Sequence, residues 1–461
     1  MQLPPKSFNR WSGALLCASL LPALPALAGE PGKASSKAPV APLPAANPLS
    51  FADGRIVFDF EEKLRFEYRE NNFDFNSANK ALTDDSWLLE HTRLGVMIKP
   101  ATWFKLYVQG QDAREFGSDR PNVPGVLGAE GDDTFDLRQA YIQIGEDKGL
   151  SLKVGRQLIT YGDERILGPL EWNNLSRSWD EAKLRYEGDK WWVDAFAASL
   201  VTFQDDKMNR SDLFDNKGLG RNQVLSGLYF STTGLDFQTT DLYALFLHEQ
   251  FPVGDSDFAT FGTRWKSTAG KFGPWDYDAE FVAQTGKVKG KDLASFAGHA
   301  EVGYTFDAPW KPRFALDYDY GSGDGNAKDG KVNTFQNLYP TNHLYYGYMD
   351  VFSWQNIHDI NASFKISPCK TVTAKLDYHM FWLADTNDAW YRANGVATVR
   401  PITPGADSFA GSELDLTVTY APKKWLSFQV GYSHFFAGSY LKDTGASSDA
   451  DFAYTQMTIK F

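Results

Sequence analysis

The order of the links between its segments constrains this chain most. From Arg55 to Phe461 it runs as a succession of stretches in which apolar and polar residues alternate, joined by links that are by turns tight and long. The tight ones include "PAT", "EDKG", "EGDK", "STTG", "GKFGP", "DAPWKP", "SPCK" and "APKK". The long, polar ones include 116–132, 159–177, 205–222, 322–349, 386–410 and 437–450. Successive side chains of a strand point to opposite faces, so period-two stretches read as strands with one apolar and one polar face. A soluble sandwich has no reason to sort its loops by parity. A barrel crossing the outer membrane does, with short turns facing the periplasm and long loops facing outside. The expected fold is all-β: a transmembrane antiparallel up-and-down β-barrel of about 18 strands.

The first stretch, "RIVFDFEEKLRFEYRE", shows the pattern. Ile56, Phe58, Phe60, Leu64, Phe66 and Tyr68 share one face, and Asp59, Glu61, Lys63, Arg65, Glu67 and Arg69 share the other. Glu62 interrupts the apolar face, which predicts either a bulge at Glu61–Glu62 or a place near the membrane interface. "WFKLYVQGQ", "TVTAKLDYHMFW" and "ELDLTVTY" alternate in the same way, and further strands are expected over 133–146, 350–366 and 451–461.

Composition agrees. Aromatic residues reach 15% while charged residues hold 23% and the mean hydropathy is -0.39. After the first thirty residues no run approaches the ~20 apolar residues that a spanning helix needs. Trp103, Trp191, Trp192, Trp310 and Trp425 sit beside tight links, as an interfacial girdle requires. The chain stops on "YTQMTIKF", a last strand with Met457, Ile459 and Phe461 on one face.

Residues 1–28 read as a secretory signal, with Lys6 and Arg10 before an apolar stretch and Ala26-Leu27-Ala28 at the cleavage point. Residues 29–50, rich in Pro, Ala and Ser, read as a flexible periplasmic leader, and 51–461 as the barrel. Removing the signal leaves Cys369 alone, so no intramolecular disulfide can form. A net charge of -12 argues against nucleic acid as a partner. The expected place is the bacterial outer membrane, with lipid as the first partner.

A charge at the lipid midplane costs roughly 2–4 kcal/mol, so the charged parity must face inward. At about eighteen strands the barrel's own side chains cannot fill the interior, which holds water, plugging loops or both. Parity assigns Arg65, Arg93, Lys105, Lys183, Arg185, Arg264 and Arg313 to the cationic lining, and Glu61, Asp317, Asp377, Glu413 and Asp415 to the anionic lining. Rings of such charges set selectivity in pores.

Two other classes are weaker. His91, His299, His379 and His434 would allow a barrel hydrolase, but no G-x-S-x-G motif appears and His434 shares the parity of Phe428 and Val430. The expectation is no enzyme and no cofactor. Asp324, Asn326 and Asp329 in "GSGDGNAKDG" are spaced faintly like a calcium loop without its closing Glu, so a solvated external loop is expected and no metal.

"DLRQAYIQIGEDKGLSLKVGRQLITYGDERILG" and "WNNLSRSWDEAKLRYEGDKWWVDAFAA" resemble the alginate export family of outer-membrane barrels. Arg138 to Ile142, Gly155-Arg156-Gln157 and Trp179 through Trp192 carry the likeness, and "HLYYGYMDVF" adds to it. The resemblance implies a monomeric porin that passes a polyuronate outward, served by periplasmic secretion components. It implies pore-side roles for Arg138 and Arg156, and for Arg165 at a loop entering the mouth. Arg138 shares parity with Ala140 and Ile142, and Arg156 with Val154, so each must sit at a strand end or after a bulge. Two readings follow: a channel for an anionic polysaccharide such as alginate or a related oligosaccharide, or a diffusion porin, general or selective for small, including anionic, solutes.

Overall fold

The computed structural model describes residues 49–79, 84–120, 130–204, 207–211, 222–398 and 400–461. Apart from Leu49 and Ser50, the expected signal and leader lie outside the described residues. Among those described, eighteen long strands form one closed antiparallel barrel. They are β1 (Ile56–Glu70), β2 (Asp85–Ala101), β3 (Phe104–Phe116), β4 (Asp133–Gly145), β5 (Gly149–Gln157), β6 (Trp179–Glu187), β7 (Trp191–Thr202), β8 (Val224–Thr232) and β9 (Gln238–Glu249). The second half comprises β10 (Ser256–Ser267), β11 (Trp275–Val288), β12 (Lys291–Thr305), β13 (Arg313–Gly321), β14 (Ile357–Cys369), β15 (Val372–Leu383), β16 (Phe409–Lys423), β17 (Leu426–Ala437) and β18 (Ala450–Lys460).

Each strand pairs with its neighbours in sequence, and β1 pairs with β18 from Glu61 opposite Lys460 to Glu70 opposite Asp451. Closure gives the ladder's N–H and C=O groups partners without water, the condition for crossing hydrocarbon. The terminal Phe461 finishes the seam: its N–H donates to Phe60 O at 2.9 Å and its ring stacks on Trp425.

Burial is inverted relative to a soluble protein. On β1, Phe66 is 46% exposed while its neighbour Arg65 is 0% exposed. The aromatic face meets lipid, and the charged face meets chain that has folded into the lumen. Links 158–178, 322–356, 384–408 and 438–449 contribute Tyr161, Ile166, Tyr346, Trp354, Trp390 and Tyr440 to an interior cluster shared with wall residues such as Phe381 and Phe435. At about eighteen strands the space is wide enough to admit them.

Several expectations need correction. The strand expected over 350–366 begins at Ile357; residues 350–356 belong to an inward loop, which Asp350 (φ 62) and Asn356 (φ 50) turn through the left-handed region. Two links at the long-loop end, 250–255 and 289–290, are short, so the alternation is not strict. Trp103, Trp191, Trp310 and Trp425 are exposed on the wall, but Trp192 faces inward under Arg185, 4.2 Å from its guanidinium carbon. Asp324, Asn326 and Asp329 each accept the backbone N–H two residues ahead, as turn-capping side chains do.

Glu62 faces outward in unbroken register, opposite Thr92 and Ile459, with no bulge. Thr92 Oγ1 lies between Glu62 and Glu90 at 2.6 and 2.8 Å, and beside them Arg114 grips Asp112. This polar patch interrupts the apolar belt. Because an exposed carboxylate there opposes insertion, Glu62→Leu is expected to keep the folded, heat-modifiable band in SDS electrophoresis. Reversible denaturant unfolding should show a gain of about 1 kcal/mol. Loss of the folded band would mean the residue does not face lipid.

Candidate pore constriction

One segment of link 158–178 is strapped across the inner wall of β1 to β4. Arg65 Nη1 donates to Trp172 O at 2.5 Å, and Lys63 reaches Glu171 O at 3.0 Å. Gln111 Nε2 donates to Leu175 O at 3.0 Å, and His91 Nδ1 meets Asn174 O at 3.0 Å. Leu170 (φ 57) and Ser176 (φ 56) turn the chain into and out of the strap. The Arg65 guanidinium also lies 3.8 Å over the Trp172 ring. Glu171 is the central tie: Arg93 Nη1 donates to one carboxylate oxygen at 2.6 Å and Arg138 Nη2 to the other.

Arg138 reaches the strap because the wall changes phase there. The β3–β4 register runs from Gln109 opposite Gln139 to Gly110 opposite Leu137, and the skipped residue is Arg138. A bulge of this kind re-aims one side chain, and here it sends the guanidinium to Gln109, Glu171 and Ser176. Arg156, expected beside the pore, is a correction. It lies at the outer end of β5 on the outward parity of Val154 and Leu152, donating to Asp180 Oδ1 at 2.9 Å and Leu137 O at 3.0 Å.

A second tie holds the same link further along. Arg165 donates to Asp319 Oδ1 at 2.6 Å and Asp317 Oδ2 at 2.9 Å on β13, and to Asp163 Oδ2 at 3.0 Å in its own loop. Link 322–356 lies alongside: Leu167 pairs with Tyr339, Met349 N donates to Glu413 Oε1 at 2.8 Å, and Tyr348 N to Asp415 Oδ2 at 3.4 Å.

Towards the short-turn end the inward charges pair among themselves. Arg185 forks onto Asp194 at 2.6 and 2.8 Å, Arg313 onto Asp276 and Glu301, and Lys375 meets Asp377 at 2.9 Å. Lys105 pairs with Asp147, Arg264 with Asp278, and Lys183 approaches Glu181 at 3.8 Å. Glu61 meets Arg93, His91 and Lys460 within 2.9 Å. Each such pair largely cancels its own field, whereas Lys63 is bonded to strap carbonyls and Lys153 lies 4.0 Å over the Tyr141 ring rather than meeting a carboxylate.

The loops enclose a cleft of about 110 Å³ lined by Arg69, Phe73, Glu130, Asn342, His343, Asp350 and Arg392, among others. Its carboxylates have partners: Glu130 meets Arg65 at 2.5 Å, and Asp350 meets His343 at 3.1 Å and Arg69 at 3.8 Å. Arg392 differs. Its guanidinium lies 4.9 Å over Phe73, and its Nε, buried, makes no hydrogen bond to a described protein group. Burial pushes its pKa down from the ordinary arginine value. Periodicity gave no sign of Arg392, because it sits in a long loop; its place beside "NG" (Asn394-Gly395) is the only mark it leaves.

Solved outer-membrane barrels share this architecture. Pseudomonas aeruginosa OccK9 (OpdG) superposes with a TM-score of 0.61 at 13% identity, over 88% of this chain and 98% of that one. P. aeruginosa OpdK with vanillate gives 0.59 at 11%, over 88% and 98%, and P. aeruginosa OprD gives 0.55 at 12%, over 88% and 95%. No curated protein matches the sequence. The family model described as alginate export matches residues 55–454, nearly the whole barrel. With a lipid-facing aromatic wall and a lumen occupied by its own loops, the chain is an outer-membrane porin and belongs to the alginate export family.

Proposed function

We propose that the barrel is a selective channel for uronate-bearing saccharides, passing alginate or a related anionic oligosaccharide across the outer membrane. The observation that carries the reading is Arg392, a guanidinium without a carboxylate partner among the described residues, in a cleft whose other charges are matched. A uronate carboxylate fits a guanidinium fork, the Phe73 ring offers an apolar face to a sugar, and Asn173 and Asn394 present amides to its hydroxyls. That OpdK was solved with vanillate agrees with carriage of an anion on this fold.

A second reading, a channel for small anionic solutes, is favoured by the cleft's size: about 110 Å³ admits on the order of ten waters, room for a small solute rather than a polymer chain. Passage of a polymer requires the strap to move.

In planar bilayers under a salt gradient, the wild-type channel is expected to be anion-selective and blocked by uronate oligomers. Arg392→Ala should weaken that block by about tenfold or more, the loss of one charge-assisted hydrogen-bonded pair. Cation selectivity, or indifference to uronates, overturns the proposal. Block by acetate or benzoate as strong as that by uronate oligomers would select the small-solute reading.

A further inference from the structure

His299 on β12 sits directly opposite Asp319 on β13, and Asp317 lies two residues along on the same inward face. Arg165 takes one oxygen from each aspartate, Asp319 Oδ1 and Asp317 Oδ2. The remaining oxygens, Asp317 Oδ1 and Asp319 Oδ2, make no hydrogen bond to a described protein group, and neither do the two ring nitrogens of His299. All three residues are at least nine-tenths buried: His299 is 5% exposed, Asp317 7% and Asp319 0%. One ligand atom from each lies within 4.8 Å of the others, and His299 Nδ1 is 3.5 Å from Asp317 Oδ1.

Leaving such atoms unpaired is costly, because each buried polar group has given up its water without gaining a partner. Charge points the same way: three carboxylates, those of Asp163, Asp317 and Asp319, share the Arg165 guanidinium, and of the three Arg264 reaches only Asp163, at 3.9 Å, so acidic groups outnumber guanidiniums at this knot. Two carboxylate oxygens and an imidazole nitrogen suit a borderline cation of the Zn²⁺ or Mn²⁺ kind, with water filling the other positions. Ca²⁺ and Mg²⁺ prefer oxygen throughout and have no use for the imidazole.

We propose that His299, Asp317 and Asp319 form a binding site for a divalent transition-metal cation, at the point where the Arg165 loop meets the wall. Asp163 and Asp278 could form an alternative set with the same imidazole. Asp278 Oδ1 is likewise unpartnered, but both Asp163 oxygens are engaged by Arg165, so that set offers one orphan oxygen against two on β13. The orphan oxygens on β13 therefore decide which side the cation takes. The inference is independent of what the channel carries.

The test uses the untagged, folded full-length barrel in detergent, stripped with chelator and titrated calorimetrically with ZnCl₂ and MnCl₂. One equivalent should bind saturably, remain after buffer exchange as measured by elemental analysis, and raise the unfolding temperature. His299→Ala and Asp319→Asn should each weaken binding at least tenfold, with folding verified by heat-modifiable migration. If Asp319→Asn does not fold, His299→Asn decides alone. The X-ray absorption spectrum of the zinc-loaded protein should show one imidazole among oxygen donors. Absence of saturable binding, binding unaltered by the His299 substitution, or a shell with sulfur or several imidazoles overturns the site.

Discussion

In planar bilayers, Glu171→Ala is expected to raise single-channel conductance several-fold and to add noisy transitions between levels. Among the described residues, Glu171 is the one strap carboxylate that ties both Arg93 and Arg138. Hydrogen bonds to charged groups each contribute about 1.5–3 kcal/mol, and removing the carboxylate leaves two guanidiniums facing one another across the gap. What remains are the backbone bonds accepted from Lys63, Arg65 and Gln111, the His91 and Asn174 side-chain contacts, and the Ser176 hydroxyl that accepts from Arg93 and Arg138. They leave the strap attached but no longer clamped, so partial displacement rather than unfolding is the expected result. Conductance equal to wild type would show that the strap does not set the constriction.

Acid should reach the same state without mutation. Partial enclosure pushes the Glu171 carboxyl up, and the Arg138 and Arg93 guanidiniums more than reverse this, holding it at about 2 against an ordinary 4.5. A depressed folded value means the tie is fully present above pH 4.5 and is lost as pH falls towards 2. The side chain stays 43% accessible in the lumen, so water screens the interaction and the opening should be graded rather than abrupt. Wild-type conductance should therefore be flat from pH 7 to 5 and rise below 4.5, with Glu171→Ala lacking that rise. The same slope in both would place the acid response elsewhere.

The wall was legible in the sequence and the plug was not. Period two is a local property of a strand, so the faces of Arg65, Arg93, Asp317 and Glu413 could be assigned by counting. Even the conflict at Arg138 was informative, since its wrong parity required the bulge that the register contains. The same conflict at Arg156 had the other permitted answer, a strand end, and there the side chain stays outside. Residues 350–356 misled because Val351, Phe352 and Trp354 are buried by the interior cluster; an apolar loop inside a barrel resembles strand. Trp172 and Arg392 act through contacts more than a hundred residues away in sequence, which no local pattern encodes.

Arg165→Ala should be the most destabilising single change in the lumen. It removes the one guanidinium that meets Asp163, Asp317 and Asp319 within 3.0 Å, and a cation stacked 3.9 Å over Tyr345. Removing one member of a buried ionic knot costs about 3–5 kcal/mol, because the charges left behind stay buried without a partner. The barrel's ladder does not depend on Arg165, so the loss should appear in the loops first: faster proteolysis within 158–178 and 322–356, with the strands still protected. Arg165→Lys should recover little, since an ammonium cannot fork onto two carboxylates. Combining Arg165→Ala with Asp317→Asn and Asp319→Asn should recover much of the loss, because the penalty lies in the stranded charges rather than in the missing contacts. Arg165→Ala with wild-type protease resistance would mean that these aspartates are already neutral, and that Arg165 holds the loop by packing on Tyr345 instead.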